Sequence, residues 1–166
     1  MAPTRQSELA DLERRLFSYH QSHFQLSARV HLSHLTFEKG FRAWMDDRDN
    51  VQRLEKTLKI QGCRRLMGDN HVPVVVPRSD WERRVSPRYG NGIMPSLNVD
   101  LDYRLRALDH ENLIAAARKK LDPEDQWWIV DVYVTDDEGT LTGLEALPHK
   151  LFSMRLTWYR LRGSRS

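Results

Sequence analysis

Hydrophobic residues fall along this chain in two rhythms, one helical and one strand-like, and their succession predicts the fold. Leu9, Leu12, Leu16 and Phe17 share a helical stripe that Ser7 is placed to cap, so a helix is expected to about His20. Residues 26–37, LSARVHLSHLTF, are rich in β-favouring types and predict one or two strands. Val51, Leu54 and Leu58 mark a second helical face, with Asp49 and Gln52 forming a capping-box pattern and Gly62 a stop. HVPVVVP, residues 71–77, is short and nearly all apolar, as a strand buried on both faces is, and its prolines sit near the ends.

Residues 79–96 contain Pro87, Gly90, Asn91, Gly92 and Pro95 and read as a loop with at most one helical turn before it. Next comes the cleanest alternation in the chain: Leu97, Val99, Leu101, Tyr103, Leu105 and Ala107 against Asn98, Asp100, Asp102, Arg104 and Arg106. That predicts a long strand with one wet side, or a hairpin. Leu113, Ile114, Ala117 and Leu121 then recur at helical spacing until Asp122-Pro123 ends the helix. WWIVDVYV, residues 127–134, is a second strongly apolar strand. Its Asp131 needs a partner if buried, and Arg104 or Arg106 on the neighbouring strand is the expected one. Alternating strands and helices indicate a compact α/β domain. The chain divides into an N-terminal helix (1–25), an α/β domain (26–140) and a basic tail (141–166), the last without a secondary-structure assignment.

Composition narrows the classes. With 40% hydrophobic and 30% charged residues over 166 positions, this is not a collagen, a coiled coil or a wholly disordered chain. No stretch approaches the roughly 20 apolar residues of a membrane helix. The opening MAPTRQSELADLERR does not read as a secretory signal. Cys63 is the single cysteine, which excludes an internal disulfide and favours a reducing compartment. The net charge of +3 is uneven: five bases and no acids follow Glu145, which leaves −2 for the rest.

Candidate chemistry concentrates in a few places. A helix start after a strand suits phosphate, because its first N–H groups are unpaired. Here the turn carries Asp109, His110, Glu111 and Asn112, with two carboxylates and no glycine. His110, Glu111 and Asn112 can act as a base with polar helpers, or simply as a capped helix start, which is the favoured reading. Arg118, Lys119 and Lys120 either meet an acidic partner or complement the helix C-terminal dipole. In GCRR, Cys63 follows a helix and precedes a strand, which suits a small buried thiol, while Arg64 and Arg65 are expected at the surface. His20 with His23 and His31 with His34 have the look of metal-ligand pairs but lack a further ligand at a recognised spacing, so no metal is expected. His71 is read as structural. In the tail, Arg155, Arg160 and Arg162 accompany Trp158 and Tyr159, a combination that tracks a nucleic-acid backbone and stacks bases, although a partly disordered or partner-seeking end is the favoured reading.

Two stretches carry a family resemblance: DNVQRLEKTLKIQGCRRLMGDNHVPVVV (49–76) and LRALDHENLIAAARKKLDPEDQWWIVDVYV (105–134). Together they resemble the ParB-like N-terminal domain of a large fungal family of uncharacterised proteins, often associated with mobile elements. The resemblance implies a ParB/sulfiredoxin-like α/β fold, with a small mixed sheet, packed helices and a nucleotide-binding turn between a strand and a helix. The family's GRHR turn falls on His110, Glu111, Asn112 and Leu113. A glycine has become His110, an arginine that would grip phosphate has become Leu113, and Glu111 adds a repelling charge. The turn therefore reads as degenerate. The expected role is a non-catalytic binding module without cofactor or membrane contact, of open oligomeric state. It would take a protein partner or, weakly and salt-sensitively, nucleic acid. The alternative is an active nucleotide-dependent switch or phosphodiester hydrolase of the same fold.

Overall fold

Thr4, not Ser7, sets the start of the first helix, α1 (Arg5–His23). The Thr4 Oγ1 accepts the Ser7 N–H at 3.3 Å, and the Ser7 hydroxyl donates to the Thr4 carbonyl at 2.8 Å. The cap thus falls three residues before the position that the hydrophobic stripe indicates. The computed structural model describes residues 4–37, 48–61, 64–92 and 94–136.

The predicted strand region 26–37 resolves into β1 (Phe24–His31) and β2 (Leu35–Phe37), separated by a single 3-10 turn. The second helix, α2 (Arg48–Gln61), places Asp49 inside its first turn, where a carboxylate meets the positive end of the helix. Leu58 packs against the core, in keeping with the predicted apolar face. The apolar run at 71–77 is β3 (Val72–Pro77), and the other is β7 (Trp127–Thr135). They pair in parallel from Val72↔Val130 to Pro77↔Thr135. Both are buried on both faces, which is why neither shows alternation.

Two predicted features differ. The helical turn expected at the head of the 79–96 loop is α3 (Arg78–Arg83), but the presumed loop then holds a strand, β4 (Val85–Arg88). Pro87 is tolerated because β4 is the outermost strand. The presumed long strand at 97–107 is two short strands, β5 (Ser96–Val99) and β6 (Leu105–Ala107). They do not pair with each other: β5 joins β4 and β1, whereas β6 lies between β2 and β3. Between them the chain turns, with the Tyr103 N–H donating to the Asp100 carbonyl at 3.0 Å and Leu101 left 89% exposed. Arg84 holds the turn through Asp102 at 2.6 Å and Asp100 at 3.4 Å.

The result is one seven-stranded mixed sheet in the order β2-β6-β3-β7-β1-β5-β4. Val72, Val74 and Val76 of β3 and Trp128, Val130, Val132 and Val134 of β7 build the core from the centre of that sheet. The last helix, α4 (Glu111–Lys120), closes this face with Ile114 and Ala117, and α2 packs on α4. α1 lies against β1 and β7. Among the described residues, no helix is long and apolar enough to cross a membrane.

Candidate functional site

The turn from β6 into α4 leaves the sheet beside β3, one strand in from its β2 edge. The Leu108 N–H donates to the Pro73 carbonyl at 2.9 Å, which extends the β3–β6 pairing (Val74↔Ala107) one step further. Continuing that antiparallel register brings residue 110 alongside residue 71. His110 takes φ 67° and ψ 28°, the left-handed conformation, and is the one non-glycine residue with positive φ among those described. Such a backbone favours glycine and costs a side-chain-bearing residue roughly 1 kcal/mol or more.

Both backbone polar groups of His110 are engaged within the turn. Asp109 Oδ1 accepts the His110 N–H at 2.7 Å. Glu111 occupies the first turn of α4, and the Ile114 N–H begins the helix by donating to the His110 carbonyl at 3.0 Å. Leu113 packs against the hydrophobic core. The position where the resemblance sets a phosphate-gripping arginine is therefore filled by an inward-facing apolar side chain. Of the four turn positions, 110 and 113 are committed to structure.

Behind this turn the fold assembles charged groups that sequence reading did not join. His71, buried just before β3, places Nδ1 2.9 Å from Asp131 Oδ1 and Nε2 3.2 Å from the Leu66 carbonyl. Both ring nitrogens face oxygen atoms, which fixes the orientation of the ring. The Ser27 hydroxyl donates to the same Asp131 oxygen at 2.6 Å from its place directly across β1–β7. Of the two expected partners, Arg104 is engaged elsewhere. β3 lies between β6 and β7, and Arg104 instead donates to the Leu101 and Tyr103 carbonyls. The reading of His71 as structural agrees with its burial.

His110 feels this cluster. Burial holds its imidazole below the usual histidine range, and the nearby His71 pushes the same way; Asp109, Asp131 and Asp69 pull it back up. The arrangement keeps one histidine neutral beside another that faces a carboxylate.

The remaining candidate cations separate. Arg64 is exposed, as expected. Arg65 is not: it is 8% exposed and donates to the Asp125 and Trp127 carbonyls at 3.0 Å each and to Asp125 Oδ1 at 2.6 Å. Its guanidinium lies 3.3 Å from the Trp127 ring centroid while that of Arg29 lies at 3.8 Å. Two guanidiniums so close to one ring must occupy opposite faces of it. Arg65 also holds the Asp125 carboxyl below its usual range. Arg118 turns inward and donates to the Leu32 and Leu35 carbonyls at 2.9 and 2.8 Å, tying α4 to the turn between β1 and β2. Lys119 and Lys120 both approach Glu55 of α2, at 3.6 and 3.7 Å.

His31 bonds locally to Ser33, and His34 to the Tyr103 carbonyl. Among the described residues no cluster of three or more ligating side chains is placed to hold a metal. Cys63, the side chain of His20, and Arg155, Trp158, Tyr159, Arg160 and Arg162 lie outside what is described.

Compared with known proteins, residues 23–146 match the family described as the N-terminal domain of a protein of unknown function, DUF3723, and the chain belongs to that family. No curated protein and no solved structure matches it.

Proposed function

From this family membership and the geometry of the turn, we propose that the chain works as a non-catalytic binding module, taking a protein partner or, weakly, nucleic acid. The observation that carries this reading is the Asp109 carboxylate lodged in the turn, whose Oδ1 accepts the His110 N–H at 2.7 Å. A donor already bonded to a carboxylate is withdrawn from phosphate, and Glu111 beside it repels an incoming anion. The core packing of Leu113 supports the same conclusion. The proposal includes the ParB-like kinship, the fungal and mobile-element setting, and an intracellular, nuclear or cytoplasmic location. These rest on the resemblance of the two long motifs.

Calorimetry of the full chain with a panel of nucleoside triphosphates tests the proposal. The expected result is no affinity tighter than the millimolar range, about −4 kcal/mol, and no hydrolysis. Clear CTP or ATP turnover that vanishes in His110→Ala would overturn it. A second reading, an active hydrolase or nucleotide switch of the same fold, draws on one observation: burial holds His110 toward its neutral form, the form a general base requires. A rate that rises with pH and is lost in His110→Ala would favour that reading.

A further inference from the structure

The two helices stacked on one side of the sheet carry a charge that the rest of the described surface does not. Among described side chains of α2 and α4 there are six bases, Arg53, Lys56, Lys59, Arg118, Lys119 and Lys120. Against them stand three acids, Asp49, Glu55 and Glu111. α1, the other long helix, is balanced, with Arg5, Arg14 and Arg15 against Glu8, Asp11 and Glu13. The excess is also concentrated. Lys119 and Lys120 converge from α4 on one carboxylate, Glu55, whose side chain is only 16% exposed. On α2, Lys59 lies one turn after Glu55 and Lys56 one turn before Lys59, so helical geometry places them along the same edge. Lys56 and Lys59 are exposed, and the side chains of Lys119 and Lys120 are 65% and 44% exposed. Two lysines of α4 thus share one largely covered acid, with two more exposed on the adjoining stretch of α2. Arg118 does not contribute, because its guanidinium is bonded to the Leu32 and Leu35 carbonyls.

We infer that the edge formed by Lys56, Lys59, Lys119 and Lys120 is a docking surface for the phosphate backbone of nucleic acid, independent of base sequence. This deepens the binding-module reading by naming a partner class and a surface on the folded body, in addition to the basic tail. Lysine is a hydrated point charge, depleted from the cores of protein–protein interfaces but well suited to neutralising phosphates. No aromatic residue accompanies the four lysines on α2 or α4, so these two helices offer nothing on which to stack a base. It follows the backbone alone, and the duplex is its natural target because charge density is highest there.

The test is fluorescence anisotropy of the full chain with a labelled DNA duplex of arbitrary sequence over a range of salt concentrations. Each lysine engaged releases counterions worth roughly 0.9 in the log–log salt slope. Replacing all four with Gln should reduce the magnitude of the slope by up to about 3.6, from roughly 0.9 per contact. A Lys→Arg version of the same four positions keeps the charge and should keep the slope, which separates lost contacts from a damaged fold. An unchanged slope in the Gln variant would overturn the inference, as would no duplex binding by the parent chain. Equal, equally lysine-dependent binding of a poly-glutamate chain would also overturn it, in favour of an acidic protein partner. Nucleotide calorimetry is a separate measurement, so failure here and failure of the non-catalytic reading remain distinguishable.

Discussion

His71 Nδ1 lies 2.9 Å from Asp131 Oδ1, joining the residue before β3 to the middle of β7, with both side chains nearly covered. Asp131 also accepts from Ser27 on β1, so one carboxylate ties together three neighbouring elements. A buried pair of this kind stabilises little against a well-packed apolar substitute, but removing one partner leaves the other uncompensated.

Asp131→Ala is therefore expected to destabilise the fold by about 2 kcal/mol, because it removes the shared acceptor of His71 and Ser27. Ser27→Ala removes only the hydroxyl contact and should cost about 1 kcal/mol. Urea unfolding of both variants measures the difference. Equal midpoints for Asp131→Ala and the parent chain would show that the pair contributes nothing.

The depressed His110 gives a pH dependence with a definite sign. Its ordinary value is 6.5, and the folded value lies lower because of burial. Between those values the unfolded chain binds the extra proton, so stability rises with pH through that window. The His110 contribution is complete above pH 6.5 and is lost as pH falls toward the folded value. His110→Asn keeps a residue that tolerates the left-handed backbone and removes the titration. The melting temperature of the parent relative to the variant should fall as the pH drops from about 7.5 to about 5, and parallel curves would refute the assignment.

Val130 is fully covered in the central strand, and Val75 is 3% exposed in the strand beside it. Val130→Asp or Val75→Asp introduces an unpaired carboxylate at a cost of several kcal/mol, against a total stability of about 5–15 kcal/mol. Both variants should fail to fold. A soluble Val130→Asp protein with a cooperative melt would contradict the central placement of β7.

Arg118 is expected to behave as a structural residue. Arg118→Ala leaves the carbonyls of two buried leucines, Leu32 and Leu35, without this donor and should cost about 2 kcal/mol in urea unfolding. It should leave the salt slope of duplex binding unchanged, unlike the substitutions at Lys119 and Lys120. A fall in slope without a fall in stability would reassign Arg118 to the binding surface.

The sequence by itself determined the interior strands and the helices. HVPVVVP and WWIVDVYV are apolar at consecutive positions because both faces of β3 and β7 are covered, and no exposed strand has that composition. The helix at 111–120 was legible from Leu113, Ile114 and Ala117, since only a helix gathers that spacing onto one side. The alternation from Leu97 to Ala107 was misleading because two short strands show the same period of two as one long strand. Only pairing with β1 and β4 on one side, and with β2 and β3 on the other, splits them at Asp100–Tyr103. The candidate site lay further still from local pattern. Asp131 finds His71 and Ser27 at separations of 60 and 104 residues, and Arg65 is buried by carbonyls 60 and 62 residues away. The lysine edge joins α2 to α4 in the same way, across Glu55. Local residue pattern records which faces are covered, because burial selects side-chain types position by position. Which charge meets which is decided by strand order and helix stacking, and only the tertiary structure supplies those.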